Sequence, residues 1–236
     1  MKMTHKEATM LLAIDTSTQM ISLALHDGAQ VCVEETWQTH NNHTTELAPA
    51  VQRMLRRADW SAQALTAVAV SIGPGTYSGL RVGVSLAKGI AAAHDLPLIG
   101  VTSLDILALA QPQFDGDLIV VAGAGRKRIV AGRYKWRHVR WQASEEPINV
   151  EWSALLAGLR APVIISGEVD AEGMHAVQEA RSAGAPVTLA PPAQRVRRAG
   201  FLAEEAWQRL RNAPPGTSFA AAQVVPIYLK TKDSPQ

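Results

Sequence analysis

A glycine-rich loop lies between an apolar run typical of a strand and an amphipathic run typical of a helix, at residues 73–76. Thr76 or Ser78 is suited to cap the helix predicted from Leu80 to His94. A loop of this kind points backbone N–H groups along the positive end of a helix dipole, which is how proteins bind phosphate and other anions. The same pattern also fits a turn whose glycines serve packing alone.

A second polar turn follows the first apolar strand and carries an acid and several hydroxyls. Asp15 ends the run that begins at Met10, and hydroxyl side chains follow it. The carboxylate could orient Mg²⁺ beside a phosphate, or it could cap its own turn in an Asx-type arrangement. A lone carboxylate holds Mg²⁺ poorly, which favours the capping role. The candidate nucleotide- or anion-binding residues of the two turns are Asp15, Thr16, Ser17, Gly73, Gly75 and Thr76.

The elements that position these turns alternate between strand and helix periodicity. The first part of the chain predicts strands and helices in the order β-β-β-α-β-α-β-α, and a similar order restarts near residue 111. We therefore predict an α/β fold of two lobes, each a mixed sheet opened by an antiparallel meander and covered by helices. The predicted divisions are a first lobe over 10–110, a second lobe over 111–193, and a closing helix and tail over 194–236 that packs back on the first lobe.

Composition narrows the class of protein. The chain has 236 residues, of which 47% are hydrophobic, so it is long enough for two lobes and is not globally disordered. No apolar run reaches the ~18 residues of a membrane span, and the polar start does not fit a signal peptide. Residues 1–9 precede the first strand as an alternative start or an arm. The single cysteine, Cys32, excludes an intramolecular disulfide and suits a cytoplasmic protein.

The helix from Leu80 to His94 is apolar around much of its circumference, so we expect it to bury two faces. Small residues recur at every fourth position from Gly79 to Ala91, which would let another helix approach closely. One face would cover the sheet and the other a partner helix, although packing on the chain's own sheet alone is the alternative. The predicted partner interface also includes the preceding helix and comprises Leu47, Val51, Met54, Gly79, Gly83, Leu86, Ala87 and Ile90.

Residues 126–140 contain seven Arg and Lys side chains and no acid, with Tyr134 and Trp136 between them. Clustered cations bind RNA phosphates and aromatic rings stack on bases, whereas a solvated hairpin with polar faces is the alternative reading. The net charge of +2 does not by itself indicate nucleic-acid binding. The candidate RNA contacts are Arg126, Lys127 and Arg128.

A metal site is not predicted. His40 and His43 are three residues apart in a loop, with no third ligand nearby, whereas a helical His pair at i,i+4 would place both rings on one face. The absence of such a pair also makes a metallopeptidase a poor third hypothesis for the function.

Four segments carry a resemblance to a known family. They read Ala-Ile-Asp-Thr-Ser-Thr at 13–18, Gly-Pro-Gly-Thr-Tyr-Ser-Gly-Leu-Arg-Val-Gly at 73–83, Gly-Val-Thr-Ser-Leu at 100–104 and Pro-Ile-Tyr-Leu at 226–229. Together they span most of the chain, and they resemble the TsaB (YeaZ) family of the actin-like ATPase superfamily. The resemblance implies a two-lobed, ribonuclease H-like fold and a non-catalytic role in threonylcarbamoyl transfer to the adenosine next to the tRNA anticodon.

The resemblance also implies partners. A TsaD-like catalytic subunit would be engaged and activated through the two helices of the first lobe, and a TsaE-like ATPase would join the complex. Transfer RNA would be met through the complex, and the chain would form a homodimer when alone. No cofactor is expected beyond weak nucleotide binding at the cleft between the lobes or at the complex interface.

The chain departs from the family pattern at two turns. Ser17 stands where kinase relatives usually carry a glycine, and Gly123-Ala124-Gly125 and Arg128-Ile129-Val130 stand where the family usually has Asp-Ala-Arg and Glu-Val-Tyr. The alternative function is a nucleotide-dependent phosphotransferase that uses Asp15 and the glycine loop. On balance these residues favour an accessory subunit over an enzyme.

Overall fold

The computed structural model describes residues 10–40, 42–125 and 128–228, and within these ranges the chain forms two compact units. Of the described residues, the first unit comprises those up to Thr102 together with Arg198–Pro226, and the second comprises Ser103–Arg197 and residues 227–228. The first lobe was predicted to extend to residue 110. The boundary lies earlier because Leu104 and Leu107 are buried in the core of the second unit.

Strands and helices alternate along the described chain. The strands are β1 Leu11–Asp15, β2 Met20–His26, β3 Val31–Gln38, β4 Ala67–Ser71, β5 Leu98–Val101, β6 Asp117–Gly125, β7 Arg128–Arg137, β8 Arg140–Ala143, β9 Ile148–Glu151, β10 Val163–Gly167 and β11 Val187–Leu189. The helices are α1 His43–Arg57, α2 Tyr77–His94, α3 Ser103–Leu109, α4 Trp152–Ala157, α5 Ala171–Ser182 and α6 Ala199–Arg211. None of the helices in the described ranges is both long and apolar enough to cross a membrane.

The first unit is built on a mixed sheet with the strand order β3-β2-β1-β4-β5. β1 pairs antiparallel with β2 and parallel with β4, so the meander predicted at the start of the chain is confirmed. Alternate side chains of β2 point to opposite faces. Ile21, Leu23 and Leu25 join the core formed with α1 and α2, whereas Ser22 and His26 contact α6.

The second unit contains another mixed sheet, with the order β11-β10-β6-β7-β8 and β9 paired to β7. β6, β7 and β8 form an antiparallel meander, and β10 and β11 extend the sheet in parallel. One core lies under α4 and α5, and the other lies under α3. The predicted fold, two mixed sheets each opened by a meander and covered by helices, is confirmed.

The structure differs from the predicted elements at two places. Residues 148–151 form β9, a strand that the sequence did not predict, because Ile148 and Val150 alternate with polar residues over only four positions. The helix predicted from Gln194 begins instead at Ala199, because Pro191 and Pro192 lead into a short 3₁₀ turn. This helix, α6, packs across the strands of the first unit.

Candidate functional site

The two candidate nucleotide-binding turns of the first unit close on each other. The backbone N–H of Thr76 donates to the carbonyl oxygen of Ser17 over 2.7 Å, and the hydroxyls of Ser17 and Ser71 lie 2.5 Å apart. A Cβ atom on Gly75 would lie 2.1 Å from the Ser17 carbonyl oxygen, so only glycine permits this approach. Gly73 is buried with φ of 100°. The chain's own backbone therefore occupies the space in front of the loop.

Asp15 is bound within its own turn. It is 1% exposed, and its carboxylate accepts a hydrogen bond from the backbone N–H of Ser17 over 2.8 Å, which is the Asx-type arrangement. Thr16 donates its hydroxyl to the carbonyl oxygen of Gly79 in α2, over 2.8 Å. The turn residues Thr16, Ser17 and Thr18 are all buried. A phosphate could reach these groups only by displacing contacts that hold the turn against α2.

The small residues of α2 face inward. A Cβ atom on Gly79 would lie 2.2 Å from the Thr16 carbonyl oxygen, and one on Gly83 would lie 2.1 Å from Thr16 Oγ1. Six of the eight residues assigned to a partner interface are therefore buried within the first unit, because their small or apolar side chains build its core: Leu47, Val51, Met54, Gly79, Gly83 and Ala87.

The outer side of α2 carries a different set of residues. Val82, Leu86 and Ile90 are partly buried and pack against the core at its margin. Ser85, Gly89, Ala92 and Ala93 continue this side and are exposed. A Cβ atom on Gly89 would have no atom within 4 Å. The chain's own packing thus gives no reason for a glycine at the middle of an exposed helix face, where it costs about 1 kcal/mol relative to alanine.

His40 and His43, which are close in sequence, have different surroundings. His43 is buried and its Nε2 lies 2.8 Å from the Thr18 carbonyl oxygen, whereas His40 is exposed. Across residues 10–40, 42–125 and 128–228, no three His, Cys, Asp or Glu side chains lie together as a metal would require. Cys32 is exposed, and partial burial of its thiol beside the carboxylate of Asp27 raises the pKa of the thiol.

A carboxylate that the sequence pattern did not reveal contacts the end of β6 in the second unit. Glu168, which follows β10, accepts a hydrogen bond from the backbone N–H of Gly123 over 2.9 Å. A Cβ atom on Gly123 would lie 3.3 Å from the same Glu168 oxygen. The other oxygen of Glu168 lies 3.1 Å from a guanidinium nitrogen of Arg197, whose side chain is 3% exposed. An acid that follows β10, the strand paired with β6, thus lies beside Gly123, where the resemblance had led us to expect an aspartate.

The predicted RNA contacts fall partly outside the described residues, because Arg126 and Lys127 are not described. Arg128 donates from Nε to the side-chain oxygen of Asn149 over 2.8 Å and from a terminal nitrogen to its carbonyl oxygen over 2.7 Å. Its guanidinium is therefore used in pairing β7 with β9. Lys135 and Arg137, further along β7, are exposed.

The chain is similar to known proteins both in sequence and in fold. The family model described as "TsaD: tRNA N6-adenosine threonylcarbamoyltransferase" matches residues 37–176. The Bacillus subtilis "tRNA threonylcarbamoyladenosine biosynthesis protein TsaB" is 33% identical over 66% of this chain and 70% of its own length. The Escherichia coli protein of the same description is 35% identical over 48% of each chain, so that match spans about half of the relative. The structure described as "YeaZ from Pseudomonas aeruginosa" has a TM-score of 0.74 at 23% identity, covering 94% of this chain and all of that one.

The protein has the actin-like ATPase fold. This class is defined by two mixed sheets that each begin with an antiparallel meander, as in the Pseudomonas aeruginosa structure. Within that class, the 33% identity with the Bacillus relative, over 70% of the length of that protein, decides the family. The chain belongs to the TsaB (YeaZ) family.

Proposed function

We propose that this chain is a non-catalytic partner subunit for threonylcarbamoyl transfer to the adenosine next to the tRNA anticodon. It would activate a TsaD-like catalytic subunit through the outer side of α1 and α2. The names of its relatives place them in threonylcarbamoyladenosine biosynthesis, and the matching family model describes the transferase. A partner that binds one conformation of an enzyme shifts its equilibrium by differential affinity, with no chemistry of its own.

The observation that carries this proposal is the outer side of α2. Leu86 and Ile90, the two predicted interface residues that are not fully buried, lie on this side with Val82. Gly89 lies in open space beside them. A helix that keeps an unneeded glycine on an exposed, partly apolar face is suited to close approach by another helix.

The phosphotransferase alternative gains little support from the site. The Asp15 carboxylate is engaged by the Ser17 N–H, and the Thr76 N–H is engaged by the Ser17 carbonyl oxygen. The groups that would bind a phosphate therefore already bind each other. Calorimetry with ATP and Mg²⁺ separates the two functions, because the phosphotransferase requires tight binding that is abolished by Asp15→Ala.

The interface is tested by substitution of the outward glycine. Gly89→Trp should leave the isolated chain folded, because its side chain enters open space, and should abolish co-elution with the TsaD-like subunit. Gly158→Trp is the matched control, since a Cβ atom there also meets nothing within 4 Å and the residue follows α4 in the second unit. Intact co-elution of Gly89→Trp would contradict the proposal. Gly83 and Ala87 are unsuitable for this test because both are buried.

The remaining partners belong to the same proposal. A TsaE-like ATPase would join the complex, tRNA would be bound through it, and the chain alone would pair with a second copy through the same helices. This assembly would operate in the cytoplasm, where tRNA is modified. Size measurement of the chain alone, and then with the TsaD-like subunit and the TsaE-like ATPase added in turn, tests each association.

A further inference from the structure

The outward charges of α1 and α2 have almost a single sign. The two helices contain five Arg and Lys residues, at positions 53, 56, 57, 81 and 88, and one acid, Glu46. The carboxylate of Glu46 is half-buried and accepts a hydrogen bond from the indole N–H of Trp37 over 2.8 Å. The one carboxylate in these two helices therefore points towards Trp37 of β3.

The cations border the apolar outer side of α2. Arg81 and Lys88 are seven residues apart, so they lie in one row beside the row of Val82 and Leu86. Arg81 stacks over the ring of Tyr77, 3.9 Å from its centroid. This contact holds the guanidinium at the start of the apolar row.

Arg56 is exposed on the outward side of α1. Arg53 is four residues before Arg57, which lies 3.9 Å from Glu35 of β3, so these two cations share a row that faces β3. Asp59 and Asp95 come after the last residues of α1 and α2, outside the helices. The apolar row of Val82, Leu86 and Ile90 is therefore bordered by the positive charges of Arg81 and Lys88.

We infer that the partner seated on this face has an acidic rim, and that the rim charge selects such a partner over a second copy of this chain. The inference rests on the proposed function, because it names the chemistry of the partner at the same face. A two-fold pair brings each patch against itself, so the cations of one copy would meet cations of the other. Like charges across an interface raise the free energy of the complex, whereas opposite charges lower it and accelerate association.

Salt dependence distinguishes the two kinds of pairing. Raising NaCl from about 0.05 M to about 0.5 M should weaken the complex with the TsaD-like subunit about tenfold, because salt screens attraction. The same change should tighten self-association of this chain, because salt screens repulsion. Sedimentation of the chain alone and of the mixture measures both dissociation constants. A heterocomplex that tightens or stays constant with salt would overturn the inference.

Charge reversal provides a second test. Arg81→Glu with Lys88→Glu should weaken the heterocomplex about tenfold, and the doubly changed chain should pair with the wild-type chain more tightly than either pairs with itself. Arg181→Glu with Arg211→Glu is the matched control, since both side chains are exposed in the last turns of α5 and α6 and the net charge changes equally. The control pair should leave both equilibria unchanged.

The outcomes separate this inference from the function on which it rests. If the wild-type chain binds no TsaD-like subunit at any salt concentration, the proposed function fails. The self-association experiment then still decides the inference about charge. If the heterocomplex forms but responds equally to the α2 reversal and to the control reversal, the proposed function stands and the inference is overturned.

Discussion

Two glycines of α2 should respond in opposite ways to the same substitution. Gly83 faces the β1–β2 turn, and Gly89 faces open space less than two turns further along the helix. Gly83→Ala should destabilise the chain, whereas Gly89→Ala should stabilise it. Both substitutions add the same methyl group to the same helix. The difference between their effects on stability therefore reports the contacts that this methyl group makes outside the helix.

The magnitudes follow from the contacts. At Gly83 the new methyl group would lie 2.1 Å from Thr16 Oγ1, whose hydroxyl donates to the Gly79 carbonyl oxygen over 2.8 Å. Overpacking costs about 1–3 kcal/mol. Loss of the buried hydrogen bond costs about 1 kcal/mol more. Alanine favours the helix by about 1 kcal/mol relative to glycine, which offsets part of these costs. The net destabilisation is therefore about 1–3 kcal/mol. At Gly89 only the propensity gain of about 1 kcal/mol applies.

Urea unfolding followed by circular dichroism measures these changes as shifts in midpoint at constant m-value. The Thr16→Ala background supplies the control. It removes the hydroxyl that opposes the new methyl group, and the nearest remaining Thr16 side-chain contact to that position, from Cβ, is 3.3 Å. Gly83→Ala should therefore cost about 1–2 kcal/mol less in this background. A Gly83→Ala variant as stable as Gly89→Ala would refute the inward orientation, and equal costs in both backgrounds would refute the role of Thr16.

Three further outcomes follow from the remaining contacts. Cys32 should react slowly with iodoacetamide at neutral pH despite its exposure, because its raised pKa keeps it a thiol, and a fast reaction would contradict this. The hydrogen bond from Trp37 lowers the pKa of Glu46 below its ordinary value of 4.5, so this carboxylate contributes stability above that value, and the contribution is lost as the pH falls through the folded-state pKa. Glu46→Gln should flatten that part of the stability–pH curve, and an unchanged slope would contradict it. Glu168→Gln should destabilise the second unit by about 1–3 kcal/mol, because buried Arg197 loses this charged partner, and an unchanged urea midpoint would contradict it.

The order of elements could be predicted from the sequence because it depends on local periodicity. Alternation from Ile21 to Leu25 and the apolar spacing of α2 correspond to the observed strand and helix. The direction of the α2 face could not be predicted this way. Small residues at every fourth position indicate a close approach, but either the chain's own turn or another molecule can make it. Only the position of Thr16, 63 residues before Gly79, decides between the two.

The candidate turn was predicted in part. The Asx-type role of Asp15 follows from neighbouring residues, so the sequence could supply it as one of two alternatives. The contact of Ser17 with Ser71 joins residues that are 54 positions apart, and no local pattern indicates it. Arg128 was predicted to contact RNA because the sequence does not show where its actual partner lies. Its hydrogen bonds to Asn149 depend on the pairing of β7 with the unpredicted strand β9.

The placement of Glu168 beside Gly123 has a consequence for how relatives are compared. An aspartate at position 123 would bring a second carboxylate next to that of Glu168, since a Cβ atom there would lie 3.3 Å from a Glu168 oxygen. Two carboxylates at such a distance repel each other unless one of them moves away or binds a proton. A comparison of relatives by the residue at position 123 alone therefore misses a negative charge that comes from 45 residues further along the chain.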